Sequence, residues 1–206
     1  MPAAHEHVER AEHVQHTVHG GHDGGTNSRN KRIALLIAVL ALFLALSETL
    51  GKSAQTEALG SNVEASNLWA FFQAKTIRQT SLRTAAELLD VQKTQVSDPA
   101  QSEAIAKRLD AWLKNVARWE SEPETQEGRK ELAVRAKKAE EKRDLALARY
   151  HHYEVSSAAF QIAIVLASAT VITGAIALAW LAGAVGVVGL AFSAIGLFAP
   201  HAVHLF

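Results

Sequence analysis

The apolar positions of this sequence are concentrated in two parts of the chain, one near the N-terminus and one at the C-terminus. The first is the unbroken apolar run Ile33–Leu46, which residues 47–51 extend to 19 residues with one carboxylate, Glu48. A helix that crosses a bilayer needs about 20 predominantly apolar residues. Residues 31–51 are therefore predicted to form a transmembrane helix with Glu48 near its far end.

The C-terminal part is apolar and uncharged. Residues 155–206 contain no Lys, Arg, Asp or Glu. Two further transmembrane helices are predicted here, at 155–180 and 182–200, and Tyr153 and Trp180 suit the aromatic belts at membrane interfaces. The link near Trp180 is so short that the two helices are expected to form an antiparallel hairpin.

The segment between the two apolar parts is charged. Residues 52–154 carry 17 Lys and Arg against 16 Asp and Glu. Helices are expected over about 52–97, 99–120 and 123–154, and the pair Asp98-Pro99 supplies a cap residue and a helix-starting proline between the first two. A charged helix needs a polar face in water, so this middle segment is predicted to lie outside the membrane.

Two apolar stripes run along the middle segment. The stripe in helix 99–120 alternates spacings of four and three residues, as a and d positions do in a coiled coil. Its members are Ile105, Leu109, Trp112, Val116 and Trp119. The other stripe is mostly alanine and has Arg143 on the same line, so it is expected to pack weakly or only with a partner. Its members are Leu132, Ala136, Ala139, Ala146 and Tyr150.

These patterns predict an all-α membrane protein with three transmembrane helices, one N-terminal and two in a C-terminal hairpin, and an extramembrane helical or coiled-coil middle segment. The membrane orientation is contested. The basic flank at 29–32 favours a cytoplasmic N-terminus, whereas Arg149 and its basic neighbours favour a cytoplasmic middle segment. Because the first span usually dominates, the sequence favours the cytoplasmic N-terminus.

Composition argues against several kinds of function. The net charge is zero and acidic residues interleave with basic ones, so nucleic acid is not expected as a partner. The absence of cysteine removes disulfides, thiolate metal sites and thiol catalysis. No catalytic motif or cofactor fingerprint has supporting context, so neither an enzyme activity nor an organic cofactor is predicted. The polar start gives no sign of a cleavable signal peptide.

Residues 1–30 form a His-rich tail that is expected to be disordered in isolation. Imidazoles at spacings of three or four residues can chelate Zn²⁺, Cu²⁺ or Ni²⁺. The candidate metal ligands are His5, His13, His16 and His19. The alternatives are a polar tail without a ligand and a tail whose charge responds to pH.

Three stretches of the sequence carry a resemblance to a known family. They are the Glu- and His-containing start at 6–16, the Lys-Arg-Ile-Ala-Leu entry into the first span at 31–35, and the stretch 63–78 with its Trp-Ala-aromatic-aromatic-Gln-Ala-Lys order. The chain thereby resembles an uncharacterised bacterial membrane-protein family, the domain of unknown function 4337. The resemblance implies a multi-pass protein of the bacterial inner membrane and implies no activity.

An aromatic and polar cluster in the stretch 63–78 is a candidate interaction patch, since aromatic and cationic residues anchor partners or lipid headgroups efficiently. Its members are Trp69, Phe71, Phe72, Gln73 and Lys75. The alternative is that this cluster packs against the stripe of helix 99–120 as part of a core. That stripe is itself a candidate surface for association.

Two features of the predicted spans are also candidates. Glu48 suits an ion or proton path, or alternatively a hydrated position at the interface, paired with Lys52 four residues on. Gly183, Gly186 and Gly189 suit either the lining of a channel or close helix packing.

These expectations favour a membrane-anchored helical scaffold that self-associates, because the middle segment has too few apolar residues to build a large core alone. The expected partners are the lipid bilayer, further copies of the chain and a protein that the sequence does not identify. The alternative function is a small transporter or channel for protons or metal ions that uses Glu48 and the His-rich tail. The scarcity of polar residues in the predicted spans weighs against a pore.

Overall fold

The computed structural model describes residues 24–202, and within that range the chain forms four helices and no strand. The helices are α1 (Gly24–Gln95), α2 (Pro99–Glu120), α3 (Arg129–Thr173) and α4 (Ile176–Phe198). Three of them, α1, α3 and α4, contain a stretch long and apolar enough to cross a membrane. The prediction of an all-α chain with three candidate spans is confirmed for these residues.

Helix α1 is longer than any element that the patterns predict. The predicted helices at 31–51 and 52–97 form one helix of 72 residues. This helix also includes 24–30, which the sequence places in the disordered tail. No proline interrupts the range, and a glycine inside a helix costs only about 1 kcal/mol. The glycines at 51 and 60 therefore do not end α1.

The junction between α1 and α2 has the geometry that the pair Asp98-Pro99 predicts. Asp98 is the N-cap of α2, and its carboxylate accepts a hydrogen bond from the backbone N–H of Ala100 at 3.0 Å. Pro99 lies in the first turn, where its missing N–H leaves no intrahelical hydrogen bond unmade. The cap and the proline together define where α2 begins.

The loop between α2 and α3 lies where the sequence predicts the start of a helix. Pro123 does not open that helix. The chain closes a turn in which Gln126 has a φ of 59° and donates its N–H to the Glu122 carbonyl at 3.0 Å. The Gln126 side chain donates to the carbonyl of Pro123 at 2.7 Å. These contacts hold a turn, and α3 starts at Arg129 rather than at the predicted 123.

The link between α3 and α4 also lies earlier than predicted, at Gly174 and Ala175 and not near Trp180. Gly174 has a φ of 74°, a left-handed conformation that glycine adopts at little steric cost and that commonly ends a helix. Its N–H donates to the Thr170 carbonyl at 2.9 Å. The spans predicted at 155–180 and 182–200 are therefore corrected to the apolar part of α3 and to α4.

The chain divides into two compact units. The first unit consists of the chain up to Thr49 together with Tyr153–Ala194. Its core is made of aliphatic and small side chains, and the rings of Phe43 and Phe160 stack at a centroid distance of 5.9 Å. The buried apolar residues of its two clusters are Ile33, Leu40, Phe160, Ala163, Ala167 and Ala182.

The second unit consists of Leu50–His152 and the residues from Ile195 onward. Within it, α1 and α3 pack antiparallel, since later residues of α1 contact earlier residues of α3. Over residues 51–68 of α1 the buried positions alternate spacings of three and four residues. They are Gly51, Ala54, Ala58, Ser61, Ala65 and Leu68. We call this row the α1 seam.

The alanine stripe of α3 is part of the core of the second unit. Leu132, Ala136, Ala139 and Ala146 are at most 2% exposed. Ala65 and Leu68 of the α1 seam form one cluster with the first three of these residues. The expectation of weak or partner-dependent packing is wrong for the first three residues of the stripe, because α1 covers them with Ala65, Leu68 and the rings of Trp69 and Phe72.

Candidate functional site

Three serine hydroxyls meet in the interior of the first unit, one from each of its helices. The Oγ atom of Ser47 lies 3.1 Å from that of Ser156 and 2.9 Å from that of Ser193, and the Ser156 and Ser193 oxygens are 2.6 Å apart. Ser156 also donates to the Gly189 carbonyl at 2.7 Å. Ser47 is 2% exposed and Ser156 is fully buried. We call these three residues the serine cluster.

The serine cluster holds helices together and lacks the parts of a nucleophile site. Each hydroxyl has one proton to donate and two lone pairs to accept with, so the hydroxyls and the Gly189 carbonyl can satisfy one another. A serine nucleophile needs an adjacent base to take its proton, and the contacts of the cluster are hydroxyls and one carbonyl. Such interhelical bonds contribute about 0.6–2 kcal/mol each in a membrane.

The second unit contains a polar network that joins α1, α2 and α3. Gln79 of α1 is 2% exposed, and its Nε2 donates to the Val116 carbonyl at 3.1 Å and to Glu120 Oε2 at 3.0 Å. Arg129 of α3 donates from Nη1 to Gln79 Oε1 at 2.6 Å and to Glu120 Oε2 at 2.9 Å, and from Nε to Thr76 Oγ1 at 3.0 Å. The hydrogen bond from Gln79 lowers the pKa of Glu120; burial opposes this, and the charge of Arg129 adds to it.

A second carboxylate fastens the end of α2 to the start of α3. Glu131 accepts a hydrogen bond from the Ser121 hydroxyl at 2.6 Å and another from the backbone N–H of Glu122 at 3.1 Å. The bond from Ser121 is the main reason why the pKa of Glu131 lies below its ordinary value. Gly128 is buried beside this contact, and a Cβ there would fall on the Glu131 carboxylate and lie 2.7 Å from the Ser121 Cα.

Most of the predicted aromatic patch faces the core of the second unit. Trp69 donates from Nε1 to Glu140 Oε1 at 2.9 Å and meets Phe72 edge-to-face at 5.4 Å. Both rings pack against the cluster that contains Leu132. The Arg129 guanidinium lies 5.0 Å from the centre of the Phe72 ring. Trp69 and Phe72 are therefore core residues and not a docking surface. The alternative interpretation predicted such packing against the stripe of helix 99–120, whereas the rings pack against α3.

The remaining members of the patch divide between the interior and the surface. The Lys75 side chain is 8% exposed and lies 3.8 Å from carboxylate oxygens of Glu122 and Glu127. Phe71 and Gln73 are exposed. The Lys75 ammonium also lies 5.1 Å from the centre of the Phe71 ring. Only Phe71 and Gln73 keep the accessibility that a docking patch needs.

The stripe of α2 is partly covered within the chain. Val116 is buried, and its carbonyl accepts the hydrogen bond from Gln79. The other four members are half-buried: Ile105, Leu109, Trp112 and Trp119. Val116 is thus a core position, and the association predicted through this stripe is still a prediction.

Helix α1 has a second apolar row on the face opposite its seam. One residue in every seven falls on this line, which is the f position when the seam occupies a and d. Its members are Val63, Ala70, Ile77, Thr84 and Val91. Val63, Ile77 and Val91 are 58%, 67% and 58% exposed. We call this row the outer stripe; Leu59 and Leu88 flank it at 62% and 64% exposed.

The candidate residues of the predicted spans lie in the first unit. Glu48 is exposed, and Gln161 Nε2 lies 3.4 Å from its Oε1. Two of the three glycines lie at close contacts. A Cβ on Gly186 would lie 2.7 Å from Leu40 Cδ2, and one on Gly189 would lie 2.9 Å from Phe160 Cε1. Gly183 has no such neighbour within 4 Å.

The metal hypothesis rests on residues outside the described range. His5, His13, His16 and His19 all precede residue 24. Within 24–202 there is no group of three or more His, Cys, Asp or Glu side chains that would hold a metal ion. Metal binding by the tail is therefore still a prediction from sequence.

The family of the chain follows from a match over most of its length. Residues 29–199 match the family described as Domain of unknown function (DUF4337). The chain belongs to this family. The DUF4337 match begins at the basic flank of α1 and ends just after α4, so it includes the serine cluster, the polar network and the outer stripe. Comparisons with curated proteins and with solved structures found no match.

The residues that stand out in this DUF4337 structure were largely missed by the sequence patterns. Ser47, Ser156 and Ser193 are ordinary helix residues in sequence, and the available signal is that each is a polar residue next to or within an apolar span. The outer stripe was readable as a seven-residue repeat of mainly aliphatic residues. Gln79 and Arg129 are 50 residues apart, and no local pattern connects them.

Proposed function

We propose that this DUF4337 protein is a multi-pass membrane protein whose second unit is a self-associating helical scaffold, acting by binding and not by catalysis. The observation that carries the proposal is the outer stripe of α1. An apolar row that the unit's own fold leaves exposed is most simply explained by a second surface that covers it.

The membrane part of the proposal is supported by the surface of the first unit. Its helices present large aliphatic side chains outward, among them Leu35, Leu42, Val165 and Val187, which are 61–67% exposed. Single exposed apolar residues are normal on a protein in water. Here they lie on three helices that are each long and apolar enough to span a bilayer, and lipid would solvate them.

The self-association part is supported by the spacing of the outer stripe. A seven-residue repeat matches the period at which two α-helices meet along a coiled coil. The α1 seam already packs against α3, so the outer stripe is not needed for the fold of the second unit. A further copy of the chain presents the same stripe with the same period. Covering a fully exposed Val or Ile contributes about 1.5–3 kcal/mol.

The proposal is tested by replacing Val63 and Ile77 with Gln and measuring the mass of the full chain by light scattering in mild detergent and by mass photometry in nanodiscs. The double variant is expected to shift toward the monomer, with a dissociation constant raised at least about tenfold, because two apolar contacts lose about 1.4 kcal/mol or more. Its melting temperature should change little, since both positions are exposed.

The matched control is Val134→Gln on α3. Val134 is 68% exposed, has the same side chain as Val63, and lies outside the outer stripe. It should leave the mass distribution unchanged. A monomeric parent protein, or equal effects of the control and the double variant, would contradict self-association through the outer stripe.

A further inference from the structure

The first unit contains an open cleft of about 710 Å³ between the beginning of α1 and the beginning of α4. One wall carries Arg29, Arg32 and Leu36 from α1, and the other carries Ala179 and Trp180 from α4. Its volume lies in the range of ordinary ligand sites, about 300–1,000 Å³. The lining combines two cationic side chains with aliphatic and aromatic side chains.

The two arginines are placed to bind one anion together. Arg29 and Arg32 are three residues apart on a helix, so they share a face with their Cβ atoms about 5–6 Å apart. Both are exposed. Neither forms an ion pair within 4.0 Å with a carboxylate of residues 24–202. Among the described residues their guanidinium groups thus have no carboxylate partner, and guanidinium is well suited to binding phosphate through paired hydrogen bonds.

The position of the cleft in the chain favours a lipid over a free anion. The arginines immediately precede the apolar run that begins at Ile33, and α4 enters its apolar sequence at the same cleft. Trp180 is 78% exposed, and tryptophan is enriched at membrane interfaces. The first turn of α4 also lines the cleft, and a helix N-terminus carries a partial positive charge.

From these contacts we propose that the cleft binds an anionic phospholipid, with its phosphate between Arg29 and Arg32 and part of an acyl chain along Leu36, Ala179 and Trp180. Basic pockets between spanning helices are a known mode of recognition of anionic headgroups. This inference rests on the membrane part of the proposed function and is independent of self-association.

The test measures lipid bound to the full chain by native mass spectrometry, with phosphatidylglycerol as the probe and phosphatidylcholine as the zwitterionic comparison. Arg32→Gln is expected to weaken phosphatidylglycerol binding at least tenfold. The matched control is Lys31→Gln, which removes one positive charge from the neighbouring position but does not line the cleft. It should lose no more than about fivefold, the effect of one charge near an anionic surface.

A second variant tests the apolar wall without changing charge. Ala179→Phe should fill part of the cleft and reduce bound phosphatidylglycerol while the chain still melts as the parent does. Millimolar inorganic phosphate should not displace the lipid. Displacement by phosphate together with unchanged binding by Ala179→Phe would show a simple anion site and overturn the lipid proposal.

Equal losses in Lys31→Gln and Arg32→Gln would show attraction to a charged surface and would also overturn the cleft proposal. Binding of phosphatidylcholine to the parent protein as tightly as phosphatidylglycerol would also overturn the cleft proposal. If alkaline carbonate extracts the parent protein from membranes, the protein does not span the bilayer, and both the membrane part of the proposed function and the lipid proposal for the cleft are contradicted. If the protein resists carbonate extraction but shows no selective binding of phosphatidylglycerol, only the lipid proposal for the cleft is contradicted.

Discussion

Gly128 shows how strongly one residue of the α2–α3 loop is determined by its neighbours. A Cβ at this position would meet the Glu131 carboxylate and the backbone of Ser121 and Glu122. Backbone atoms cannot move aside as a flexible side chain can. The loop therefore depends on glycine for close approach, and its left-handed residue is Gln126 two positions earlier.

Gly128→Ala is expected to lower the free energy of unfolding by about 1–3 kcal/mol, the usual cost of overpacking. Thermal unfolding of the full chain, followed by circular dichroism, measures the change. Gly60→Ala is the control, because a Cβ on Gly60 has nothing within 4 Å. In the interior of α1 it should stabilise by about 0.5–1 kcal/mol. A neutral Gly128→Ala would show that the loop rearranges without cost.

The lowered pKa of Glu131 gives the second unit an acid-dependent stability. The native state holds this carboxyl ionised, through the bond from Ser121, below its ordinary pKa of 4.5. Its contribution is therefore complete above about pH 4.5 and is lost as the pH falls through the lower native value. Glu120 contributes in the same direction.

Glu131→Gln should be less stable than the parent at neutral pH and should lose less stability on acidification. Denaturant unfolding at a series of pH values from neutral to about pH 3.5 measures how the free energy of unfolding of each protein changes with pH. Glu124→Gln, an exposed position of the same loop, should follow the parent. Parallel curves for Glu131→Gln and the parent would mean that the contact with Ser121 does not depend on the charge of Glu131.

At the scale of helices, the α1 seam depends on small residues. Ala65 is 3% exposed and faces the α3 cluster. Ala65→Leu would insert three carbon atoms into a close contact, and it is expected to destabilise the second unit by about 1–3 kcal/mol. Ala74→Leu is the matched control, since Ala74 is exposed on the same helix and should change stability by less than about 0.5 kcal/mol. Thermal unfolding of the two variants measures the difference in stability, and equal melting temperatures would contradict the prediction.

The boundaries of the helices were predictable where a side chain directly determines the backbone. Asp98 and Pro99 define the start of α2 because capping and the missing N–H act within one turn. Pro123 was misread, since a proline favours a turn as well as a helix start and the contacts of Gln126 decide between them. Gly174 was missed because it lies within a continuous apolar sequence.

The contacts between helices were less predictable than the helices. The alanine stripe of α3 has little apolar area of its own, and it is the α1 seam together with Trp69 and Phe72 that covers it. The same limitation applies to Gln79 and Glu120, which are 41 residues apart. Sequence periodicity shows which face of a helix is apolar and does not show which helix covers it.

At the scale of the whole molecule, the two units place their apolar residues differently. The first unit presents aliphatic side chains outward on three spanning-length helices, whereas the second presents a charged surface crossed by one apolar row. This difference follows from the distribution of charge, with 33 charged residues in 52–154 and none in 155–206. The separation of apolar from charged segments was therefore the most predictable property of the chain.

The His-rich tail gives a prediction for the whole chain. A variant that begins at Gly24 is expected to keep the melting behaviour and membrane association of the parent, because residues 1–23 contain no apolar run that would anchor them. It should lose Zn²⁺ binding, which clustered imidazoles would supply at about micromolar affinity and which protons would weaken below about pH 6. Calorimetry on both proteins measures this. Equal Zn²⁺ titration curves for the two proteins would contradict the hypothesis that the tail binds Zn²⁺.

The serine cluster has a consequence for biosynthesis. Its members are made in chain order, with Ser47 first and Ser156 more than a hundred residues later. The Gly189 carbonyl and Ser193 arrive only with α4. Until then, in the membrane location proposed above, the Ser156 hydroxyl has Ser47 as a neighbour but lacks the Gly189 carbonyl that accepts its hydrogen bond in the folded protein. A hydroxyl with an unmade hydrogen bond costs free energy in hydrocarbon. Helix α4 therefore completes the hydrogen bonding of the serines of α1 and α3, and in the proposed membrane location a chain cut short before α4 would expose the defect to membrane quality control.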